Sequence, residues 1–195
     1  MVNNAVAFVV DTIFHLFILA ALVRFWMQAL RAPSRNPIAQ FTMALTDFIV
    51  KPMRRVIPGL WGLDLASLVV AWAAEFLLQV ILLLLIDAPL GNNPAVLPAV
   101  LYLALVKLIR LSVYIVMGAV FIQALLSWVN PYHPVAPFFD ALTRPFLKPF
   151  RRMVPLIGGV DITPILVLIV CQLVIMLPIT WLEGNAISLI KQGLL

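Results

Sequence analysis

Four stretches of this chain, roughly Ala5 to Gln28, Asp64 to Ile86, Ile109 to Val129 and Ile162 to Leu182, are apolar for long enough to cross a lipid bilayer. A crossing takes about 20 residues of helix. Hydrocarbon offers no partner to a bare N–H or C=O, so each stretch has to be helical. Of the 195 residues, 64% are hydrophobic and only 11% charged, and mean hydropathy is +1.12. Soluble domains run nearer one quarter charged. The expected fold class is therefore an all-α membrane protein with four transmembrane helices.

The third crossing is open to two readings. Lys107 and Arg110 interrupt an apolar run that starts near Ala95. In one reading Val96 to Val106 is a helix lying at the outer interface and the crossing begins near Ile109; in the other a single helix runs unbroken from Val96 to Val129. The first ten residues, MVNNAVAFVV, lack Lys and Arg. They do not look like the basic start of a cleavable signal, so the first crossing is expected to be retained.

The positions of the charges orient the helices. Of 13 Lys and Arg, five (Arg31, Arg35, Lys51, Arg54, Arg55) lie between crossings one and two, and four (Arg144, Lys148, Arg151, Arg152) between crossings three and four. The connection from Asp87 to Pro98 holds none. Cytoplasmic loops carry the excess of Lys and Arg. Both basic loops are thus expected in the cytoplasm, with both termini periplasmic, in a bacterial inner membrane. The net charge of +5 belongs to this topology and gives no reason to expect nucleic acid.

Those loops also repeat one another. KPMRRVIP at residues 51–58 returns as KPFRRMVP at 148–155, an offset of 97. The same offset pairs Pro37 with Pro134, Phe41 with Phe138, Thr46 with Thr143, Gly62 with Gly159 and Asp64 with Asp161, with 13 identities over the 28 positions 37–64. The chain reads as a tandem duplication, with a first unit over 1–95 and a second over 96–195. Each unit contains two crossings, an even number, so both units enter the membrane in the same direction.

In the first loop Ile38, Phe41, Leu45, Phe48 and Ile49 fall on one helical stripe, matched by Val135, Phe138, Leu142 and Phe146 in the second. This is the spacing of an amphipathic helix lying in the cytoplasmic interface. Pro52 and Pro149 are expected to break or kink it and to open a second short turn, which Pro58 and Pro155 end. Lys51, Arg54 and Arg55 stand at i, i+3 and i+4, and so do Lys148, Arg151 and Arg152, so each trio shares a face. Cations beside an apolar stripe suit anionic lipid headgroups or a protein partner, and topology alone is the plainer account. Asp64 and Asp161 directly precede crossings two and four, where aspartate caps a helix; each is also placed to pair with the arginines of its own unit.

Inside the membrane, Glu75 lies eleven residues into crossing two, about 16 Å deep. A carboxyl there is costly and by default marks a functional site. Its counterpart 97 residues on is Gln172. His15, with Asp11 one turn away, is expected at the depth of Glu75, and the group could relay protons, hold a cation or simply join helices. Arg24 is near enough to the surface to reach water; Gln79 and Gln123 suit helix contacts. Catalytic and metal-ligand patterns are missing from the sequence, so no enzyme, no metal and no cofactor is expected. Cys171 is the single cysteine, so an internal disulfide is excluded.

These motifs, the NP or HP turn, the T-x-x-x-x-K-P-x-R-R-x-x-P run and the G-x-D before the next helix, resemble the YggT family, related to YlmG proteins. RFWMQALR at 24–31 and NPIAQF at 36–41 look like its two-unit proteobacterial form. The resemblance implies an integral membrane protein, with Arg54, Arg55, Arg151, Arg152, Pro58, Pro155, Asp64 and Asp161 on the family motif. It implies associations with osmotic tolerance, ion uptake and cell-division gene neighbourhoods, and in plastids with nucleoid distribution and cytochrome haem attachment. The expected function is membrane organisation or ion homeostasis through lipid- and partner-binding loops. A small transporter using Glu75 and His15, which would need a homo-oligomer to conduct, and a haem assembly factor are the alternatives. Trp61, and Ala66-Ser67 against Thr163-Pro164, depart from an even repeat.

Overall fold

The computed structural model describes residues 2–60, 62–89, 93–154 and 161–194. Its helices are α1 (Val2–Ala29), α2 (Pro37–Val56), α3 (Leu65–Leu85), α4 (Val96–Val129), α5 (Ala136–Met153), α6 (Thr163–Val174) and α7 (Thr180–Leu194), with a π-helical turn at Ile175–Ile179 joining the last two. α1, α3, α4 and the continuous stretch Thr163–Leu194 are each long and apolar enough to cross a membrane. Phe8, Ile13, Leu16, Met176 and Trp181 are exposed on their outer faces, which suits a bundle whose solvent is hydrocarbon.

α1 and α3 run antiparallel. Asn3 Nδ2 donates to Leu85 O (3.4 Å) at one end, and Arg24 Nε lies 3.5 Å from Asp64 at the other. Both pairs of residue numbers add to 88, which sets Glu75 level with Ile13, midway between Asp11 and His15. The contact is built from Ile18, Ala21 and Leu22 against Ala71 and Leu78, with Leu108 of α4 closing the cluster. Small residues at such a seam let backbones approach and gain dispersion contacts, the main attraction left between helices in lipid. α4 packs in turn on α7 through Val96, Val100, Leu103, Ala186 and Ile190. Gly193 permits the closest approach, since a Cβ there would lie 2.7 Å from Val96 Cγ2.

Three expectations are corrected. α4 is one unbroken helix of 34 residues, so Val96 to Val106 does not lie flat at the outer interface. Its first turns are buried against α7, and Lys107 and Arg110 are met by Glu75 and Glu183, so neither cation forces the chain out of the membrane. At roughly 51 Å it outspans the hydrocarbon core of about 30 Å. Crossing four does not stop at Leu182 but continues to Leu194. Pro178 is absorbed by the π-helical turn, and Thr180 Oγ1 donates to the carbonyl of Ile175 at 2.8 Å, beside the backbone N–H of the same residue. Pro52 and Pro149 do not break their helices: α2 passes through Pro52, and α5 through Pro145 and Pro149. All three prolines are exposed, so the carbonyls they leave unpaired face outward, where water and headgroups can reach them. α2 ends at Val56, shortly before Pro58, while Pro155 and Gly159 lie outside the described residues.

α2 packs on the C-terminal half of α1 and the start of α3, with the Phe17 and Phe48 rings 5.9 Å apart, and α5 packs on the C-terminal half of α4 and on α6. Thr42, Thr46 and Val50 are buried on α2, and Phe139, Thr143 and Leu147, each 97 residues later, on α5. The expected stripes divide: Ile38 and Ile49 pack on the core, Phe41 and Phe48 do not, and in α5 Phe138 and Leu142 are buried in the bundle. The Phe41 and Phe48 rings are 66% and 68% exposed, on the outward side of α2.

Candidate functional site

The first basic segment closes around a buried arginine. Arg24 is only 5% exposed. Its Nη1 donates to Thr46 Oγ1 at 2.8 Å and to Asp47 Oδ1 at 2.7 Å, and its Nε faces Asp64. Contrary to expectation it does not reach for water, because two carboxylates come to it. Asp64 is 2% exposed and caps α3, accepting from Ser67 N and from Ser67 Oγ at 2.5 Å. Arg54 grips the same carboxylate with Nε at 3.2 Å and Nη2 at 2.5 Å, a two-pronged contact that favours arginine over lysine. The chain returns to α3 through a turn in which Gly62 adopts φ +82°, a conformation that costs little only without a Cβ.

The charges respond to this packing. Burial pushes the Asp64 carboxyl upward, but the hydrogen bonds from Arg54 and Ser67 and the Arg54 charge outweigh it and hold the group below the usual carboxylate range. Bonding to Lys51, whose Nζ lies 2.8 Å away, and then to Arg24 lowers Asp47 likewise. Hydrogen bonding to Asp64 raises Arg54 above its ordinary value.

The second segment keeps the outline with looser joints. Arg151 Nε donates to Asp161 Oδ2 at 2.9 Å, and Asp161 accepts from Thr163 N and Oγ1 at 2.9 and 2.5 Å. Burial raises Asp161, but the bonds from Thr163 and Arg151 leave it below the usual range. Thr143 stands where Thr46 does, and its hydroxyl meets Gln123 of α4 instead of an arginine. Gln123 also donates to Asp140 at 3.2 Å, and Arg144 pairs with Asp140 along α5 at 2.6 Å.

Each octet is thus divided. Arg54 and Arg151 turn inward to an aspartate, and Lys51 pairs along its own helix with Asp47. Arg55, Lys148 and Arg152 are exposed and make no ion pair among the described residues. Phe41, Phe48 and Arg55 follow at seven-residue steps down one line of α2, which puts an unpaired cation at the end of an exposed aromatic row.

Within the membrane the expected group is rearranged. Asp11 and His15 pair with each other at 3.3 Å, both side chains nearly half exposed. Glu75 is 2% exposed, accepts from Gln79 Nε2 at 2.7 Å and lies 3.9 Å from Lys107 Nζ. Among the described residues no hydrogen bond or ion pair joins His15 to Glu75. Gln172 is exposed on the outer face of α6 and takes no part. A second pair, Arg110 with Glu183, was missed in the sequence. Glu183 directly follows the stretch Ile162 to Leu182, and the interruption of an apolar run by Lys107 and Arg110 is the signal the sequence offers. Among the described residues no group of three or more His, Cys, Asp or Glu could hold a metal ion.

Comparison with known proteins brings in a family. The family model described as CCB3/YggT matches residues 3–85 and 102–182. An uncharacterized protein of Pseudomonas aeruginosa is 34% identical over 180 residues, covering 91% of this chain and 89% of its own. An uncharacterized protein in the proC 3′ region of Vibrio alginolyticus is 33% identical over 170 residues, covering 87% and 90%. The Escherichia coli protein YggT is 29% identical over 172 residues, covering 88% and 87%. No solved structure matches.

Proposed function

The chain belongs to the CCB3/YggT family and is an integral membrane protein, and on that footing we propose that its two basic segments bind anionic phospholipid at the cytoplasmic face of the inner membrane. The chain is read as two tandem units with parallel insertion, both termini periplasmic, and α2 and α5 lying in the interface. It works without catalysis, organising the membrane or supporting ion homeostasis under osmotic stress, with room for a protein partner at the same surfaces.

The observation that carries this reading is the division of labour in the octets. Arg54 and Arg151 are spent on internal aspartates, while Arg55, Lys148 and Arg152 stay exposed, Arg55 on the same side of α2 as the exposed rings of Phe41 and Phe48. Each cation near an anionic surface contributes about 1 kcal/mol. In nanodiscs of mixed phosphatidylglycerol and phosphatidylcholine, the full-length protein should enrich phosphatidylglycerol around itself. The triple variant Arg55→Gln, Lys148→Gln, Arg152→Gln should lose that preference; enrichment that persists unchanged would sink the reading.

A second reading, a small ion transporter or channel subunit, is favoured by one feature. Gln79 both donates to Glu75 and lines a cavity of about 310 Å³ with Asn3 and Asn4 at the outer end of the bundle, which gives the buried carboxyl a polar approach. Lys107, not His15, is then its partner on the path. Ion flux into proteoliposomes that is unaltered by Glu75→Gln would remove Glu75 from that role.

A further inference from the structure

Two grooves on the outer wall of the bundle correspond across the 97-residue offset. The first, about 480 Å³, lies between α1, α2 and α3. The second, about 400 Å³, lies between α4, α5 and α6, with Trp26 at its edge. The floor of the first is formed by Ala73, Ala74 and Leu77, and that of the second by Val170, Cys171 and Val174, each 97 positions further on. The near wall of each comes from the amphipathic helix, through Ile49 and Phe146, again an equivalent pair. Both volumes fall in the range of small-ligand sites.

The occupant can be argued from length, polarity and charge. Nearly all of each lining is apolar, so the ligand in the groove is a hydrocarbon. The first groove runs from Met53, inside the octet, up to Leu77, thirteen residues beyond the Asp64 cap and so roughly 20 Å from it. One leaflet of the core is about 15 Å thick, so the groove has the reach of a single acyl chain anchored at the cytoplasmic surface. Arg55 follows the groove-lining Phe48 by seven residues on the same line of α2, and Arg152 is its counterpart on α5; both are exposed and neither has an ion-pair partner among the described residues. A chain that ended in a neutral headgroup would leave them uncompensated.

We infer that each half of the molecule holds one anionic phospholipid of the cytoplasmic leaflet, its acyl chain in the groove and its phosphate on the exposed cations of the octet. This rests on the lipid reading above and adds to it a defined, duplicated site in place of a general attraction to the surface. Cys171, the single cysteine, lies at the floor of the second site, and Ala74 marks the same place in the first.

The test places the full-length protein in nanodiscs with phosphatidylglycerol carrying a photoactivatable diazirine near the end of one acyl chain, and in a parallel sample with phosphatidylcholine labelled in the same way. Adducts are mapped by peptide mass spectrometry. With labelled phosphatidylglycerol they should concentrate on residues 70–77 and 167–174 over other lipid-facing positions such as Leu16, Leu19 and Leu105. Labelled phosphatidylcholine should give about fivefold fewer for each cation engaged. Ala74→Trp should empty the first groove alone and Cys171→Trp the second alone. Phosphatidylglycerol preference with adducts spread evenly over the lipid-facing surface would overturn the grooves and leave the octet reading standing. Equal labelling by both lipids would overturn both. The wild-type pattern decides between these outcomes even if a tryptophan variant fails to fold.

Discussion

The two basic segments carry the same octet and the same terminal aspartate, yet they are held by different chemistry. In the first, Arg24 is buried between Thr46, Asp47 and Asp64. At the corresponding positions of the second, Phe121 replaces Arg24, Thr143 is kept, and Arg144 replaces Asp47. The arginine and its counter-charge have both gone. What remains is a hydroxyl–amide contact between Thr143 and Gln123, and Arg144 turns to its own helix neighbour Asp140. A buried cation is tolerated only while its partners stand, so the difference reads as a coupled exchange in which two residues had to change together.

That coupling can be broken on purpose. Arg24→Phe gives the first segment the residue of the second and takes one partner each from Asp47 and Asp64, which keep Lys51 and Arg54; unfolding in detergent should lose about 3 kcal/mol. Adding Asp47→Arg should recover a substantial part of the loss, a coupling a double-mutant cycle measures directly. Strictly additive losses would show that the two positions never depended on each other.

The octet arginines sharpen the contrast further. Arg54→Gln leaves a carboxylate that is 2% exposed without its main partner and should cost about 2 kcal/mol. Arg151→Gln faces a more open Asp161 and should cost less than about 1 kcal/mol. Equal losses in thermal melts would erase the distinction between a closed and an open segment.

Acid should separate the halves in the same order. Asp47, Asp64 and Asp161 all titrate lower folded than free. Their stabilisation is therefore complete above the unfolded carboxylate value of about 4 and is lost as pH falls through the lower folded values. Asp64→Asn should flatten this acid limb more than Asp161→Asn does. The smallest effect belongs to Arg55→Gln and Arg152→Gln, which make no ion pair among the described residues and should shift stability by less than about 0.5 kcal/mol while changing lipid preference.

The parts legible in the sequence were those written in local pattern. Four apolar runs fixed the crossings, and the 97-residue offset brought out the octets and the two aspartates, because identical residues at one spacing need no knowledge of packing. Arg24 was misread because its partners Thr46, Asp47 and Asp64 lie 22 to 40 residues further along, and nothing local distinguishes a cation that reaches water from one that is clamped. Rise per residue places Glu75 and His15 at similar levels on neighbouring helices, and the register of α1 on α3 sets Glu75 level with Ile13. Partnership does not follow from level, since rotation about each helix axis decides that Glu75 meets Lys107. Prolines were given too much weight. Pro52 and Pro149 lie on exposed sides of helices that continue through them, which a one-dimensional pattern does not display.

The lipid reading requires both basic segments to lie on the cytoplasmic side. With Cys171 replaced by alanine, single cysteines at the exposed positions Ser34 and Tyr132 report the two basic sides, and cysteines at Asn4 and Asp87 report the opposite one. In spheroplasts treated with a membrane-impermeant maleimide, Asn4→Cys and Asp87→Cys should label at once, and Ser34→Cys and Tyr132→Cys only after the membrane is permeabilised. Labelling of either basic side from outside intact spheroplasts would contradict the account.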